Sequence, residues 1–389
     1  MNQVRLIFAQ WMEFFPRYEF SRIQSRWRRR FRVRNFSCMD QFLCMAFAQL
    51  TGRESLRDIE ICLRAMKPKL YHVGLRGMIA RSTLADANER RPWQIWWELA
   101  RVLIARARRL YAEEPLGVEL AQAVYAFDAS IIDLCLALFP WAEFRKNKGG
   151  IKLHTLLDLR GNLPVTAFIT PASVHEVNML DRLRIEPGAL YLLDRGFLDF
   201  ARLHRIHRGG AWFVIRAKRN TQLRRLYSRP VDKATGLRCD QTVVLGGFYA
   251  ARDYPDHLRR IRFFDPDQGR RLVFLTNEFN LPALTIAELY RQRWQVELFF
   301  KWIKQHLRIK SFFGTTANAV KTQIWIAIAV YVLAAIVKKE LKLEHSLYTI
   351  LQILSVTLFE KMPILQALSQ IELPLELGDD YKQLTLFDF

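Results

Sequence analysis

The sequence predicts a mixed α/β protein with a helical N-terminal region, a mixed β-sheet flanked by helices, and a helical C-terminal segment. Three observations support this prediction. Apolar residues recur at helical spacing through residues 1–116. From about residue 120, short apolar strands alternate with helical segments. The 14-residue apolar run at 324–337 is too short to span a bilayer comfortably. We therefore expect a buried core helix there and no association with a membrane.

The composition indicates a folded protein with a polyanionic partner. The 389 residues are 51% apolar, enough for two or three domains, and carry a net charge of +21. Residues 1–116 hold 22 Lys/Arg against 11 Asp/Glu, so the positive charge is concentrated there. A merely soluble basic protein is the alternative. Five scattered cysteines, without a CxxC or Cys/His cluster, indicate reduced thiols in the cytosol and give no sign of a zinc site.

Residues 1–118 are predicted to form a helical DNA-binding domain, with a helix-turn-helix variant as one form. Ser55 is placed to cap the helix "LRDIEICLRAM", and Pro92 lies near the start of a longer one. The stretch "RIQSRWRRRFRVRNF" holds seven arginines. Such a stretch is typical either of nucleic-acid contact or of a solvated arm, and the total charge favours nucleic acid.

The segment "ARSTLADANERR" is predicted to form a short helix between these two. Ser82 or Thr83 is the expected N-cap. This helix would present Arg81, Arg90 and Arg91, which suits contact with phosphates.

From residue 119 to 340 the pattern predicts the sheet. The segment "AVYAFDAS" predicts a strand that ends at Asp128, and "ALYLLDRGF" a strand that ends at Asp194. Between them, "IKLHTLLDLRGNLPVTAFIT" predicts two strands joined by a turn in which Gly161 fits a hairpin. A helix "DFARLHRI" and a strand "AWFVIRA" follow. Residues 217–282 are predicted to be a separate strand-rich block.

The segment "YRQRWQVELFFKWIK" is predicted to form one amphipathic helix. At about 100° per residue, its polar residues fall on a single stripe: Tyr290, Arg293, Glu297, Lys301 and Lys304. The simplest interpretation is a solvated helix face. The alternative is that Glu297 is an acid the protein uses for chemistry.

Asp128, Asp194 and Glu297 form a candidate metal-binding cluster. Ligand sites gather at the carboxyl ends of parallel strands, although an aspartate there is also typical of a turn. Three carboxylates repel one another, and their oxygens suit Mg²⁺ or Mn²⁺. Two such ions about 4 Å apart activate the attacking oxygen and stabilise the leaving oxygen of a phosphodiester. Arg293 and Lys304 would then hold DNA phosphates.

A family resemblance joins these features. Tyr290, Arg293, Glu297 and Lys304 match Y-x₂-R-x₃-E-x₆-K, which resembles the YREK signature of DDE transposases in the bacterial insertion-sequence-four family. The segments "FDASIIDLCL" and "LLDRGFLDFARL" resemble the two aspartate blocks of that family. The stretches "RSTLADANERRPWQIW" and "FRKNKGGIKLHTLLDLRG" resemble its N-terminal region and its second strand. The resemblance covers nearly the whole chain.

The resemblance implies a ribonuclease H-like catalytic core at 119–340, with a β-rich insertion at about 217–282. It implies that Asp128, Asp194 and Glu297 are catalytic and bind two Mg²⁺ ions, for which Mn²⁺ can substitute. It also implies that the other three YREK residues, Tyr290, Arg293 and Lys304, contact DNA.

The implied function is a transposase of the bacterial cytoplasm, associated with the nucleoid. It would bind the terminal inverted repeats of an insertion sequence, pair two double-stranded ends in a homodimer, and insert them into target DNA. Two alternatives stay open: a metal-dependent nuclease without strand transfer, and a catalytically inactive DNA-binding regulator. Some members of the family form DNA hairpins and stack a flipped base on an aromatic ring. Trp212 and Trp294 are the two candidates for that ring.

The remaining polar candidates have simpler interpretations. His154 and His175 are interpreted as structural or DNA-facing, and Asp133 and Asp158 as surface or turn residues. Thr315 and Thr316 are candidate caps of the helix at 317–337. Residues 341–389 are predicted to be a helical segment with a short tail. Within the tail, Gln383, Leu384, Leu386 and Phe387 read Q-L-x-L-F, which resembles the peptide that docks bacterial proteins on the replication sliding clamp. The alternative is that these side chains pack on the protein's own core.

Overall fold

The computed structural model describes residues 5–31, 35–116, 120, 122–146, 148–266, 269–305 and 312–369. The helices in this part of the chain are α1 Ile7–Trp11, α2 Arg17–Trp27, α3 Cys38–Leu50, α4 Leu56–Ala65, α5 Lys67–Val73, α6 Arg81–Arg90, α7 Gln94–Leu110, α8 Phe200–Arg208, α9 Phe248–Asp253, α10 Ala283–Gln292, α11 Trp294–Gln305, α12 Ala317–Glu340, α13 Leu347–Thr357 and α14 Ile364–Ser369. The strands are β1 Val124–Leu134, β2 Glu143–Arg145, β3 Lys148–Asp158, β4 Leu163–Pro171, β5 Leu190–Leu193, β6 Trp212–Arg216, β7 Leu223–Arg229, β8 Leu237–Leu245, β9 Leu258–Asp265 and β10 Arg270–Thr276.

The strands form one mixed sheet in the order β2-β3-β1-β5-β6-β10-β9-β8-β7, and β4 also pairs with β3. β1 is antiparallel to β3 but parallel to β5, and β5 is parallel to β6. The predicted hairpin between β3 and β4 is confirmed, and Gly161 in its turn has a φ of 74°, which favours glycine. The predicted mixed α/β architecture is therefore confirmed.

The strand-rich block is not separate from this sheet, which corrects the prediction. β10 pairs with β6, from Phe274 opposite Arg216 to Thr276 opposite Val214. This pairing satisfies backbone groups that an unpaired β6 edge would leave open. Strands β7 to β10 therefore extend the same sheet, and β7 and α9 are elements that the sequence analysis did not predict.

A buried ion pair ties these added strands to the segment before α10. Arg259 donates from Nε and Nη2 to the two carboxylate oxygens of Asp240, each at 2.8 Å. It also donates to the backbone carbonyls of Glu278 and Leu281. Both members of the pair are nearly inaccessible to solvent. The entry into α10, and hence the path towards Glu297, is held by this pair.

β1 is longer than predicted, because it continues past Asp128 to Leu134. Its antiparallel pairing with β3 supports the whole strand, from Tyr125 to Leu134. Its parallel pairing with β5 stops at Phe127, opposite Leu193. Asp128 is therefore not the end of a strand, but it is the first residue beyond the parallel pairing.

The helical N-terminal region and the later helices share one hydrophobic core around α12. α12 packs against α3, α6, α7 and α13, and the core continues from Ile7 to Leu368. By length and composition α12 is able to cross a membrane, but 94% of its apolar window is buried inside the protein. The prediction of a buried core helix is confirmed. The division of the chain near residues 118 and 340 stays a prediction.

Two of the predicted helix caps are confirmed. The Ser55 hydroxyl accepts a hydrogen bond from the Asp58 backbone N–H at 3.1 Å. The Thr316 hydroxyl accepts one from the Ala319 backbone N–H at 3.2 Å, at the start of α12. Each cap satisfies one of the unpaired N–H groups of a first helical turn.

The predicted cap of α6 is wrong, because the helix begins at Arg81 and Ser82 and Thr83 lie inside it. Arg91 also differs from its predicted role. It is only 6% exposed and donates to the backbone carbonyl of Ser37 and the side-chain oxygen of Gln41. A guanidinium used in this way holds the N-terminal helices together and does not face a phosphate.

Candidate active site

The two strand-associated aspartates lie side by side. Phe127 of β1 and Leu193 of β5 are register partners in the parallel pairing. Asp128, inside β1, and Asp194, directly after the end of β5, are the next residues along the chain, so they lie at the same level on neighbouring strands. Both are partly accessible to solvent. The pairing therefore brings together the two carboxylates that the sequence predicted to converge.

The predicted single helix of the YREK segment is wrong, because two helices meet at Arg293. α10 ends at Gln292 and α11 begins at Trp294. The Arg293 N–H donates to the Tyr290 carbonyl and the Val296 N–H to the Arg293 carbonyl, at 3.1 and 3.2 Å. These three-residue bonds tighten the backbone between the two helices. α11 then packs against β1, which brings Glu297 to the aspartates.

Arg293 lies between two of the three candidate acids. Its Nη1 donates to Oδ2 of Asp128 at 2.9 Å, and its Nη2 donates to Oε1 of Glu297 at 2.7 Å. The side chains of Arg293 and Asp128 are 15% and 17% exposed, and that of Glu297 is 35% exposed. One guanidinium thus bridges a β1 carboxylate and an α11 carboxylate in a largely desolvated position.

The pKa of Asp128 is raised to about 6. Burial is the largest cause, and the nearby charges of Glu297 and Asp194 add to it, whereas Arg293 and the Ala129 N–H oppose it. Burial disfavours the charge on Arg293, yet Tyr290, Asp128 and Glu297 raise its pKa above the ordinary value. The site is a cluster of acids that already attracts a cation.

The donor atoms of this cluster fit a divalent metal. They are carboxylate oxygens, which Mg²⁺ and Mn²⁺ prefer as ligands. Within the described residues no group of three acidic, histidine or cysteine side chains is arranged as a metal site. The space between Asp128 and Glu297 holds the Arg293 guanidinium instead. A metal ion bound by both acids would therefore have to displace this side chain.

Tyr290 and Lys304 occupy different surroundings. Tyr290 is 8% exposed, its ring lies 4.6 Å from that of Phe274, and the Arg293 guanidinium carbon lies 5.8 Å from its centroid. Burial raises the pKa of Tyr290 to about 12. Lys304 is partly buried and its Nζ donates to the backbone carbonyl of Ile131 at 2.6 Å. The Tyr290 ring therefore packs against the Arg293 guanidinium. Lys304 fixes the C-terminal end of α11 to β1.

The minor candidates behave largely as predicted. His154 is buried, and its Nε2 lies 2.9 Å from the Thr170 hydroxyl, so its structural role is confirmed. Asp133 is exposed, as expected. Asp158 accepts a hydrogen bond from the Arg160 N–H at 3.0 Å, so its role as a turn residue is confirmed. It is also buried and paired with Arg108, so it does not lie at the surface.

The two aromatic candidates for base stacking differ in exposure. Trp294 begins α11 and is 46% exposed, whereas Trp212 lies in β6 and is partly buried against the core. Neither observation assigns a DNA base to either ring. The stacking residue stays a prediction.

Acidification is expected to destabilise the fold through His154. Burial lowers the pKa of His154 to about 4 from an ordinary value of 6.5. Between pH 6.5 and pH 4, His154 therefore binds a proton in the unfolded chain but not in the folded chain. The free energy of unfolding falls as the pH is lowered through this range. His154→Gln removes this dependence, and its free energy of unfolding should improve relative to the wild type by about 2 kcal/mol between pH 7.5 and pH 5. Urea unfolding at pH 7.5 and at pH 5 measures this difference. The control is His175→Gln, which changes an exposed histidine. Equal pH dependence of the wild type and His154→Gln would contradict the prediction.

Sequence reasoning missed the internal pairing of Arg293. Its spacing of four from Glu297 was visible as a helical ion pair. Its bond to Asp128, 165 residues away, left no local signal. That contact depends on the packing of α11 on β1.

Comparison with known proteins gives the family. A family profile described as a transposase DDE domain matches residues 120–333, more than half of the chain, and a profile described as a domain of unknown function matches residues 3–76. A protein of Sinorhizobium fredii named as a transposase is 32% identical over 285 residues, which cover 72% of this chain and 78% of that protein. A protein of Geobacillus stearothermophilus named as the transposase of insertion sequence element IS5377 is 30% identical over 254 residues, which cover 65% of this chain and 66% of that protein.

A solved piggyBac transposase synaptic complex with hairpin DNA aligns over 95% of this chain and 81% of that one, with a TM-score of 0.43 and 10% identity. The DDE domain and the named relatives agree with the resemblance to DDE transposases. The chain belongs to the DDE transposases of bacterial insertion sequences, enzymes that depend on divalent metal ions to cleave DNA and transfer its strands.

Proposed function

We propose that Asp128, Asp194 and Glu297 are the metal-binding catalytic triad of this transposase. The observation that carries the proposal is the single cation shared by Asp128 and Glu297, at the level where Asp194 leaves the neighbouring strand. An acid cluster that draws an arginine out of water is one that also favours a divalent ion.

When two Mg²⁺ ions are bound, or Mn²⁺ in their place, they would activate the attacking oxygen and stabilise the leaving oxygen. Asp128 of β1 and Glu297 of α11 would hold the ions from two different elements of the fold. Water is the first nucleophile, and the exposed 3′-hydroxyl of the transposon end is the second. Both steps are in-line displacements at phosphorus, and no bond forms between DNA and protein.

The Arg293 guanidinium can pair with the two acids or bind a DNA phosphate, but it cannot do both at once. We infer that it neutralises Asp128 and Glu297 in the metal-free protein and turns to a phosphate of the transposon end when metal binds. Tyr290 beneath the guanidinium restricts the directions in which it turns. Lys304, at the end of α11, contacts the same DNA strand.

Counting bound ions tests the triad without relying on activity. Titration of the complex with end DNA by Mn²⁺, followed by electron paramagnetic resonance, should give two tightly bound ions per site. Asp194→Asn should bind fewer than two, because a carboxylate ligand is lost, whereas Asp133→Asn, an exposed acid on β1, should bind two. An unchanged count in Asp194→Asn would remove this residue from the site.

The sheet order supports a ribonuclease H-like core. Three antiparallel strands, β4-β3-β1, are followed by the parallel strands β5 and β6, and the aspartates follow the β1–β5 pairing. We propose that β7 to β10 are an insertion into this core. A structure of the complex with end DNA tests the core assignment, since the acids should then face the scissile phosphate.

Three partner and location proposals rest on the family and the sequence. A homodimer should assemble on paired ends, which light scattering with and without end DNA measures. Nucleoid association should appear in fluorescence microscopy of the tagged protein. The clamp-docking residues Gln383, Leu384, Leu386 and Phe387 lie outside the described residues. Titrating purified clamp with a peptide of residues 378–389, and with its Leu386→Ala/Phe387→Ala version, tests that proposal; equal binding by both would end it.

A further inference from the structure

A basic cleft lies at the edge of the sheet, apart from the acid cluster. A cleft of about 880 Å³ opens between α7, β4 and residues 182–187. Among the described strands β4 pairs only with β3, so its other edge borders this cleft. We call it the α7–β4 cleft, and the residues that matter are Trp97, Arg101 and Arg108 of α7, Ala167 of β4, and Arg182 and Arg184 opposite.

Arginines line both walls of the α7–β4 cleft. On α7, Trp97, Arg101 and Arg108 follow one helical face, and the Arg101 guanidinium carbon lies 4.8 Å from the Trp97 ring centroid. Arg182 and Arg184 stand on the other wall. Arg101, Arg182 and Arg184 are exposed, and within the described part of the chain none of them forms an ion pair with a carboxylate.

Arg108 differs from these three, because Asp158 and Glu186 already compensate its charge at 3.4 and 3.5 Å. Glu186 also lines the cleft, and Arg108 carries one positive charge against two carboxylates. Three unpaired arginines against one excess carboxylate leave a net excess of about two positive charges, beside one flat aromatic face. A cleft of this size, open to solvent and charged on both sides, suits a polyanion better than a small ion.

The cleft lies close to the candidate active site along the sheet. Asp128 pairs with Thr155 of β3, and Thr155 pairs with Ala167 of β4, which lines the cleft. Two strand spacings of about 4.8 Å place Ala167 about 10 Å from Asp128 in the same row.

We propose that the α7–β4 cleft binds the phosphate backbone of duplex DNA. Arg101, Arg182 and Arg184 contact successive phosphates, and Trp97 holds the Arg101 guanidinium flat against the wall. Contacts to phosphate carry no sequence information, so the site accepts DNA of any sequence. The inference does not depend on the roles proposed for Asp128, Asp194 and Glu297, and its test measures binding alone.

The test is the triple variant Arg101→Ala/Arg182→Ala/Arg184→Ala in the full chain, without metal, on duplex DNA of unrelated sequence. Each phosphate contact contributes about 0.9 to the slope of log affinity against log salt, so the slope should fall by about 2–3 units. The control is Arg208→Ala/Arg270→Ala/Arg271→Ala, which removes the same charge from exposed sites outside the cleft. Thermal unfolding should be alike in both variants, because all six side chains are exposed.

A second variant separates the loss of charge from the loss of the arginine side chain. Arg101→Lys keeps the charge, and its slope should stay within about half a unit of the wild type. Equal slopes for the two triple variants would overturn the proposal. A second result would also overturn it: the triple cleft variant binds DNA like the wild type, and deletion of residues 370–389 changes DNA binding by the wild type but not by this variant. Residues 370–389 hold five acidic residues and one lysine. That result would assign the cleft to the protein's own tail.

Discussion

Asp128→Asn should abolish DNA cleavage and strand transfer, with a loss of at least about a thousandfold in rate, equivalent to about 4 kcal/mol in the activation barrier. Asparagine keeps the shape of the side chain but removes the negative charge that binds a divalent ion. The Arg293 guanidinium can still donate to the amide oxygen, so the fold should persist. Gel assays of end cleavage and of joining to target DNA measure the effect.

The matched control is Asp133→Asn, which changes an exposed acid five residues further along the same strand. It should cleave at the wild-type rate. Both variants should bind end DNA within about twofold of the wild type, because phosphate contacts come from basic residues. Cleavage by Asp128→Asn at a normal rate would exclude this residue from the catalytic site.

Arg293→Ala should destabilise the metal-free protein by about 2–3 kcal/mol, because it leaves Asp128 and Glu297 without their shared cation. This loss of stability is small for the removal of one partner of a buried ion pair, for two reasons. Glu297 is partly solvated, and Asp128, with a pKa of about 6, is able to take up a proton. Addition of Mg²⁺ should restore most of the loss, since the ion replaces the missing charge. Urea unfolding with EDTA and with Mg²⁺ measures both values.

The control for this experiment is Arg195→Ala, an exposed arginine next to Asp194. It should respond to Mg²⁺ as the wild type does. A variant at Arg293 with the same metal-dependent gain as the wild type would show that the guanidinium does not occupy the metal position. In that case the triad would still stand if Asp128→Asn loses cleavage, so the two ideas fail separately.

The same Arg293→Ala variant should also lower the salt slope of end binding by about one unit, as expected for one lost phosphate contact. This measurement needs metal, because the guanidinium is held by the acids in its absence. An unchanged slope with metal present would limit Arg293 to its role beside the acids.

Local sequence patterns determined the elements that carry the site. The apolar strands before Asp128 and Asp194 singled out two candidate acids before any contact was known. The spacing of Tyr290, Arg293, Glu297 and Lys304 added the third candidate and indicated the family. Hydrophobic run length was enough to place α12 in the core. These features are local, since burial and periodicity are properties of a short segment.

Only the tertiary structure decided how these elements meet. The β3 partner keeps Asp128 inside β1, and the β6 edge draws the supposed separate block into the same sheet. The packing of α11 on β1 divides the predicted helix at Arg293 and places its guanidinium between two carboxylates. Each of these outcomes depends on partners far away in the chain. A periodic pattern records which face of a segment is buried, but it does not record which distant segment covers that face.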